Sequence, residues 1–209
     1  MGKHSQFRFQ GYNYSVISSN KSISSILTLT FSTLSVKMCG KILYFAFGSN
    51  LSTNRMHVCN PNAVRYGIGK LNDYQIDFVA YSKIWKGYAG TIVPKKGSHV
   101  WGAIWEIKNE DLESLDRQEG VHANIYYPIT VDVETPEGKV LQCRCYRQVG
   151  NADDVNLENL PEERRPTPAY LETMIKGAEE SGIPSEYINF LKKIPHNGSE
   201  VKGDLKFQY

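Results

Sequence analysis

The sequence predicts an α+β protein in which a mostly antiparallel sheet or small barrel is followed by two helices. Segments rich in β-branched and aromatic residues, separated by turn residues, dominate positions 42–149. Two segments with helical periodicity follow, one from Thr167 to Gly182 and one from Pro184 to just before Pro195. Strands followed by helices favour this class over an alternating α/β fold.

The first strand is predicted over Ile42–Phe47, an apolar run of strand-forming residues. The other predicted strands are 64–71, 74–81, 87–93, 100–107, 125–134 and 139–149. Asn72-Asp73 and the segment Pro94–Ser98 are predicted as turns between strands. The turn Thr135–Gly138 predicts that the last two strands form a hairpin.

Helix signals are clearest at the end of the chain. Thr167 is a suitable N-cap and Pro168 a suitable first residue of a helix that Gly182 ends. A shorter helix is predicted over Asn109–Arg117, with Asn109 as its N-cap. Between them, residues 150–166 are predicted to be a polar loop, in which Arg164 and Arg165 form a solvated charge cluster.

Composition indicates a soluble globular protein of one domain or slightly more. The chain has 209 residues, of which 41% are apolar and 22% charged. A formal net charge of +2 does not by itself suggest a nucleic-acid partner. We also expect no membrane association, because the apolar stretch Ile23–Val36 is interrupted by hydroxyl residues and too short to span a bilayer.

The first forty residues differ from the rest, since they are rich in Ser and Thr and the first acidic residue of the chain is Asp73. We expect residues 1–40 to be a disordered extension. Two alternatives stay open. The segment resembles a mitochondrial presequence, although Arg8 is its only arginine, or translation could start instead at Met38. We expect a domain over 41–201, a polar tail over 202–209 and a cytoplasmic location.

No metal site is expected. The four cysteines include no Cys-x-x-Cys pair and the five histidines are scattered. Cys143 and Cys145 lie two apart in a predicted strand, so they point to the same face and are poorly placed to bridge each other. Reduced thiols are the expected state.

The segment Tyr44–Leu51 carries the clearest site signal. Its strand ends at Gly48, where we expect a positive φ, and Ser49 and Asn50 are N-cap residue types for a short helix. Free backbone N–H groups at such a turn suit a carboxylate or an oxyanion. The alternative is an ordinary strand-to-helix turn.

Three motifs in order resemble the γ-glutamylcyclotransferase family, namely Tyr44–Leu51, Val100–Trp105 and Ser114–Val121. The resemblance extends from about Lys41 to about Val201 and does not cover the first forty residues. It implies a compact mixed β-barrel with flanking helices and an enzyme that converts γ-glutamyl amino acids to 5-oxoproline. It also implies that no cofactor is used and that the protein is a homodimer.

The resemblance assigns Glu119 as the catalytic residue. It implies the following substrate-binding residues: Tyr44, Phe45, Ala46, Phe47, Gly48, Ser49, Asn50, Tyr126, Tyr146 and Tyr170. The family usually has Tyr where this chain has Phe47, so a hydroxyl is missing there. Each tyrosine could instead be a half-buried structural residue.

Physical chemistry supports the choice of Glu119. It follows the predicted helix 109–117, where the negative end of the helix dipole disfavours a carboxylate, and partial burial would also raise its pKa. A glutamate with a raised pKa suits a general acid and base. The alternative is a solvated surface glutamate.

Two other functions stay open at this stage. One is a glutathione-specific cyclotransferase, although that branch usually opens with a shorter Tyr-Gly-Ser-Leu motif; a branch acting on γ-glutamyl-ε-lysine matches less well. The other is a binding module on the same scaffold that does not turn over its ligand, which the substitution at Phe47 favours and the retained Glu119 disfavours.

Overall fold

A computed structural model describes residues 4–9, 12–17, 40–150 and 157–200. The chain divides at about residue 32 into two units. In the first unit, strands β1 (His4–Phe9) and β2 (Tyr12–Ile17) pair antiparallel. The prediction of a disordered extension did not anticipate this hairpin. The rest of the extension before Gly40, Cys39 included, and the tail predicted over 202–209 lie outside the described residues.

The second unit contains a closed barrel of five strands in the order β3-β5-β4-β6-β7. The strands are β3 (Lys41–Ala46), β4 (Val64–Ser82), β5 (Gly87–Lys108), β6 (Tyr126–Glu134) and β7 (Val140–Gln148). Strand β3 pairs antiparallel with β5 and parallel with β7, and the other pairs are antiparallel. The predicted fold class, a mixed and mostly antiparallel barrel with flanking helices, is confirmed.

Strands β4 and β5 are each continuous where the sequence predicted two strands and a turn. The register between them shifts near Asn72 and Tyr74, so the predicted turns are irregularities inside one long hairpin. Asp73 and Gly97 take positive φ values of 59° and 80°, and the Gly97 N–H donates to Asp73 Oδ1 at 2.8 Å. The prediction of turns at Asn72-Asp73 and Pro94–Ser98 is therefore wrong, because both segments lie inside continuous strands.

The helices are α1 (Thr53–His57), α2 (Leu112–Gln118), α3 (Pro168–Ser181) and α4 (Ser185–Leu191). Helix α3 begins and ends as predicted: Thr167 Oγ1 accepts the Tyr170 N–H at 3.3 Å, and Gly182 takes φ 76° at the C-cap. The N-cap prediction for Asn109 is wrong, because a 3-10 turn over Asn109–Asp111 precedes α2. No helix in the described ranges is long and apolar enough to cross a membrane.

Helix α3 packs closely on a 3-10 turn over Ser49–Leu51, which follows β3. Gly177 makes this approach feasible, because a Cβ there would overlap backbone atoms of Leu51 and Ser52. Helix α3 therefore covers the turn at which the sequence predicts the functional site.

The loop before α3 is tied to the barrel by an ion pair. Arg164 Nη2 contacts Asp77 Oδ1 at 2.7 Å, and Arg164 Nε donates to the carbonyl oxygen of Phe78 at 2.9 Å. Arg165 Nε donates to the carbonyl oxygen of Leu160 at 2.9 Å. The prediction that Arg164 and Arg165 form a solvated cluster is therefore wrong. The guanidinium of Arg164 pairs with the carboxylate of Asp77, which is fully buried on β4.

Candidate active site

A small polar pocket lies where β3 ends and α2 ends. Its lining residues are Tyr44, Phe47, Gly48, Ser49, Asn50, Gly90, Glu119, Tyr126, Tyr146 and Tyr170. Of the predicted site residues, Phe45 and Ala46 do not line it. Phe45 is fully buried on the strand face opposite Tyr44, and the Ala46 side chain is a single methyl group in the core.

Glu119 is held by two donors from the first motif. Tyr44 Oη donates to Glu119 Oε1 at 3.1 Å, and Asn50 Nδ2 donates to the same oxygen at 2.7 Å. Asn50 Nδ2 also donates to Tyr44 Oη at 3.0 Å. The three side chains are thus mutually hydrogen-bonded. One oxygen of Glu119 joins it to Asn50, 69 residues away in sequence, and to Tyr44, 75 residues away.

Opposing influences act on the pKa of Glu119. Burial is the largest, and it raises the pKa above the usual glutamate value because a charged carboxylate loses hydration. The positive charge of Arg55 and the hydrogen bonds from Tyr44 and Asn50 lower it, while Asp116 raises it. The net pKa is raised, in the direction expected from the sequence.

An ordered chain of amides supports Asn50. Asn60 Nδ2 donates to Gln118 Oε1 at 2.8 Å, and Gln118 Nε2 donates to Asn50 Oδ1 at 2.8 Å. An ionised carboxylate can only accept hydrogen bonds, so the Asn50 amide nitrogen must face Glu119. The Asn50 amide oxygen then faces Gln118. Trp105 Nε1 donates to the Asn50 carbonyl oxygen at 3.1 Å, so both the side chain and the backbone of Asn50 are held.

Arg55 brings a buried positive charge close to the site. It is 7% exposed, on helix α1 directly after the Ser49–Leu51 turn. Burial lowers its pKa, and the negative charge of Glu119 opposes that shift. A buried guanidinium stabilises an anion in or near the pocket, since removing both from water strengthens their attraction.

Two of the predicted tyrosines meet at Gly90 on β5. The Gly90 N–H donates to Tyr170 Oη at 2.8 Å, and Tyr126 Oη donates to the Gly90 carbonyl oxygen at 2.8 Å. Gln148 Nε2 donates to Tyr126 Oη at 2.8 Å. Burial raises the pKa of Tyr170 to about 12; the hydrogen bond from the Gly90 N–H opposes this shift, and the negative charge of Glu119 adds to it.

Gly48 is required for space, not for the positive φ predicted from the sequence. Its φ is −104°, so that prediction is wrong. A Cβ at Gly48 would lie 2.9 Å from Tyr170 Oη, and one at Gly90 would lie 3.0 Å from it. The Tyr170 hydroxyl therefore enters between two glycines, which explains why neither position can carry a side chain without displacing it.

Tyr146 also lines the pocket, but its hydroxyl is already engaged. It hydrogen-bonds to Asp116 Oδ1, and Arg144 Nε donates to it at 2.7 Å. Arg144 Nη2 contacts the same Asp116 oxygen at 2.6 Å. The ring of Tyr146 packs edge-on against Tyr44, with centroids 5.7 Å apart. This arrangement suits Tyr146 to support Tyr44 and to shape the wall.

The arrangement is suited to proton transfer within a small ligand. It combines one carboxylate with a raised pKa, a buried cation and several hydroxyl and amide donors. Within the described ranges, no group of three or more His, Cys, Asp or Glu side chains could hold a metal ion.

Comparison with known proteins identifies the class of protein to which this fold belongs. Residues 99–191 match the AIG2-like family. This segment runs from β5 through the end of α4 and contains Glu119, Tyr126, Tyr146 and Tyr170.

Relatives of this chain that have been named identify a narrower family within this class. The chain is 42% identical to a γ-glutamylcyclotransferase from Bos taurus over 164 residues, which is 77% of this chain and 82% of that protein. It is 40% identical to one from Mus musculus over 167 residues, 78% of this chain and 82% of the other. A solved γ-glutamyl cyclotransferase structure superposes with a TM-score of 0.70 at 35% identity, covering 80% of this chain and 94% of that one. The chain belongs to the γ-glutamylcyclotransferase family.

Some residues of the site were not predicted from the sequence. These residues are Gly90, Arg55, Asn60 and Gln118. Gln118 lies in the motif Ser114–Val121 but was given no role, and the roles of the others depend on contacts with residues distant in sequence. Arg55 had the best available cue: it is a charged residue in the short segment that follows the first motif, where an exposed helix was the simpler expectation.

Proposed function

We propose that this protein is a γ-glutamylcyclotransferase that converts γ-glutamyl amino acids to 5-oxoproline and a free amino acid. The observation that carries the proposal is Glu119, a carboxylate with a raised pKa that receives hydrogen bonds from Tyr44 and Asn50 inside the pocket. The names of the relatives at about 40% identity support the same reaction.

In the proposed reaction, ionised Glu119 accepts a proton from the α-ammonium group of the substrate. The freed amine attacks the γ-carbonyl carbon, and the new C–N bond closes a five-membered lactam. The bond between the γ-carbon and the leaving nitrogen then breaks. Overall, the α-nitrogen gives up two protons and the leaving nitrogen gains two, so Glu119 returns what it takes and is regenerated.

Both reacting groups belong to one substrate molecule, so the pocket acts mainly by holding the substrate folded. Orientation of this kind can contribute roughly 7–11 kcal/mol at best. The step consumes neither water nor a cofactor. Arg55, whose positive charge acts on Glu119, would also attract the substrate α-carboxylate.

Tyr170 is the proposed donor to the oxyanion that forms on the γ-carbonyl. Its oxygen accepts from the N–H group of Gly90, so its own hydrogen is available to a ligand. Phe47 supplies no hydroxyl, and Tyr170 lines the same pocket.

The reaction assigns the enzyme to the carbon–nitrogen lyases or to acyltransferases that act within one molecule. We further propose a homodimer in the cytoplasm. The family resemblance supports the dimer, and light scattering coupled to size exclusion tests it. Imaging of the full-length protein in cells tests the location against the mitochondrial alternative.

The first prediction concerns Glu119. Purified wild type should release 5-oxoproline from γ-glutamyl-alanine, and Glu119→Gln should lower kcat by about 100-fold or more, because the amide keeps the shape but cannot accept the proton. Glu113→Gln is the matched control: it lies on the same helix, its side chain is 85% exposed, and it should leave kcat unchanged.

The same assay separates the alternatives. A preference for glutathione over γ-glutamyl-alanine would identify the glutathione-specific enzyme. Failure of folded wild type to release 5-oxoproline from either compound would reject the enzymatic proposal in favour of a ligand-binding module.

A further inference from the structure

A second and larger cavity, of about 530 Å³, adjoins the pocket that contains Glu119. The two cavities share five lining residues: Ser49, Asn50, Glu119, Tyr126 and Tyr170. One outer wall is the turn between β4 and β5, from Tyr81 to Trp85, and the other is the segment Gly120–Ile125 after helix α2. A ligand that reacts at Glu119 can therefore extend into this cavity.

The lining of the larger cavity is apolar with a basic edge. Tyr81, Ile84, Trp85, Ala123 and Ile125 supply apolar surface. The charged residues of the lining are Glu119, Arg55, Lys83 and Arg117. Glu119 is the sole acid among them and sits at the junction with the small pocket, so the remainder of the cavity favours an anionic ligand.

Lys83 is the cation best placed to bind such an anion. Arg117 already pairs with Glu113 at 2.9 Å, and Arg55 is buried beside Glu119. In the part of the chain that the structure describes, no acidic side chain lies within salt-bridge distance of Lys83, which is exposed on the β4–β5 turn. Its ammonium group is available at the mouth of the cavity.

We propose that this cavity is the subsite for the leaving amino acid of the substrate, with Lys83 binding its α-carboxylate and the apolar wall accommodating a large apolar side chain. The inference rests on the proposed function and deepens it. The small polar pocket takes the γ-glutamyl head, and the scissile bond lies over the five shared residues. A leaving amino acid such as leucine then matches the cavity in both charge and apolar surface.

Three ligands separate the two parts of the proposal. In γ-glutamyl-leucine the leaving amino acid has both a carboxylate and an apolar side chain. In γ-glutamyl-leucinamide it keeps the side chain but its carboxylate is replaced by a neutral amide. In γ-glutamyl-glycine it keeps the carboxylate but has no side chain. Their KM and kcat values are measured on wild type by 5-oxoproline release. Their Kd values are measured by calorimetry on Glu119→Gln, which leaves the ligands intact.

The carboxylate should improve binding of γ-glutamyl-leucine over its amide by about fivefold, the upper range for an exposed ion pair. Lys83→Ala should abolish this difference in both KM and Kd. Lys96→Ala is the control, since Lys96 is also exposed on this hairpin but lines neither cavity. An acid-to-amide ratio near one in wild type, or a ratio that persists in Lys83→Ala, overturns the role of Lys83.

The leucine side chain should improve kcat/KM over γ-glutamyl-glycine by roughly tenfold, as filling an apolar pocket does. Ala123→Trp should remove that advantage by occupying the cavity. Because Ala123 is exposed, the substitution leaves the core intact. Equal kcat/KM for the leucine and glycine compounds in wild type overturns the apolar part.

The two readouts also distinguish failure of this inference from failure of the proposed function. Binding that depends on Lys83 without any 5-oxoproline release keeps the subsite and rejects the reaction. Normal release without dependence on Lys83 or on the leucine side chain keeps the reaction and rejects the subsite. Absence of binding by all three ligands rejects the subsite as well.

Discussion

At the scale of single residues, the site depends on the balance between the groups that raise the pKa of Glu119 and the groups that lower it. Burial alone would favour the protonated form, which cannot act as a base. Tyr44, Asn50 and Arg55 each favour the ionised form. These opposing influences suit a carboxylate that both accepts and returns a proton.

The acid limb of the kcat/KM profile provides a test of this balance. If ionised Glu119 is the base, as proposed, activity should fall as pH drops through its raised pKa. Asn50→Ala removes a donor that lowers this pKa, so the limb should move to higher pH.

Asn62→Ala is the matched control for that profile. Asn62 is an exposed asparagine that bonds to Asp111 at 3.3 Å, and its loss should leave the limb in place. A limb that moves to lower pH in Asn50→Ala, or does not move, would contradict the role assigned to Asn50.

The sequence predicted which residues line the pocket mainly where a motif contained them. Glu119, Tyr126, Tyr146 and Tyr170 all line the pocket, as expected from their local contexts. The amide chain through Gln118 was not predictable, because it joins segments 58 and 68 residues apart and depends on which way each amide turns. Local sequence contains neither piece of information.

At the scale of secondary-structure elements, helix α3 and the Ser49–Leu51 turn act as one unit. The helix supplies Tyr170 to the pocket from its first turn and lies against the turn at Gly177, two turns later. Both contacts need a glycine, on the turn at Gly48 and on the helix at Gly177. The position of the turn relative to the pocket is thus set by the helix.

Gly177→Ala tests this contact. In an open helix the change would stabilise the protein by about 1 kcal/mol through helix propensity. Here the methyl group overlaps the backbone of Leu51 and Ser52, which cannot rotate aside, and overpacking of this kind costs about 1–3 kcal/mol. We expect net destabilisation by about 1 kcal/mol in urea unfolding, with a lower kcat.

Gly67→Ala serves as the control for that measurement. A Cβ at Gly67 meets no atom within 4 Å and its φ is not positive, so stability and kcat should be retained. A stability gain in Gly177→Ala would show that the helix can move away from the turn without loss.

Element types followed from the sequence better than element boundaries did. The caps at Thr167 and Gly182 are local, and helix α3 was predicted to within a residue at each end. The continuity of β4 through Asp73 was not, because a bulge and a turn use the same residue types and only the pairing with β5 decides between them.

At the scale of the whole molecule, one buried ion pair connects the loop before α3 to the barrel. Asp77 on β4 is fully buried, and its Oδ1 atom accepts both the Phe78 N–H and Arg164 Nη2 at 2.7 Å. A buried carboxylate without its cation is strongly unfavourable. The loop therefore contributes to stability, although its sequence is typical of an exposed connection.

Arg164→Ala should lower the free energy of unfolding by about 3–5 kcal/mol, because it leaves the Asp77 charge buried and unpaired. Urea denaturation at neutral pH measures the loss. Lys176→Ala breaks a pair with Glu172 in which both side chains are 64% exposed, and should cost less than about 1 kcal/mol. Equal effects of the two substitutions would mean that Asp77 finds another partner or is hydrated.

The contact of Tyr170 with Gly48 and Gly90 has a consequence for how the protein is made. The pocket joins β3, near the start of the barrel, to a helix that begins only at Pro168. A chain emerging from the ribosome holds the Glu119 carboxylate long before it holds Tyr170 or the helix that covers the turn. The enzyme therefore becomes competent late in synthesis, and a product terminated before Pro168 would carry Glu119, the proposed catalytic residue, in an incomplete pocket.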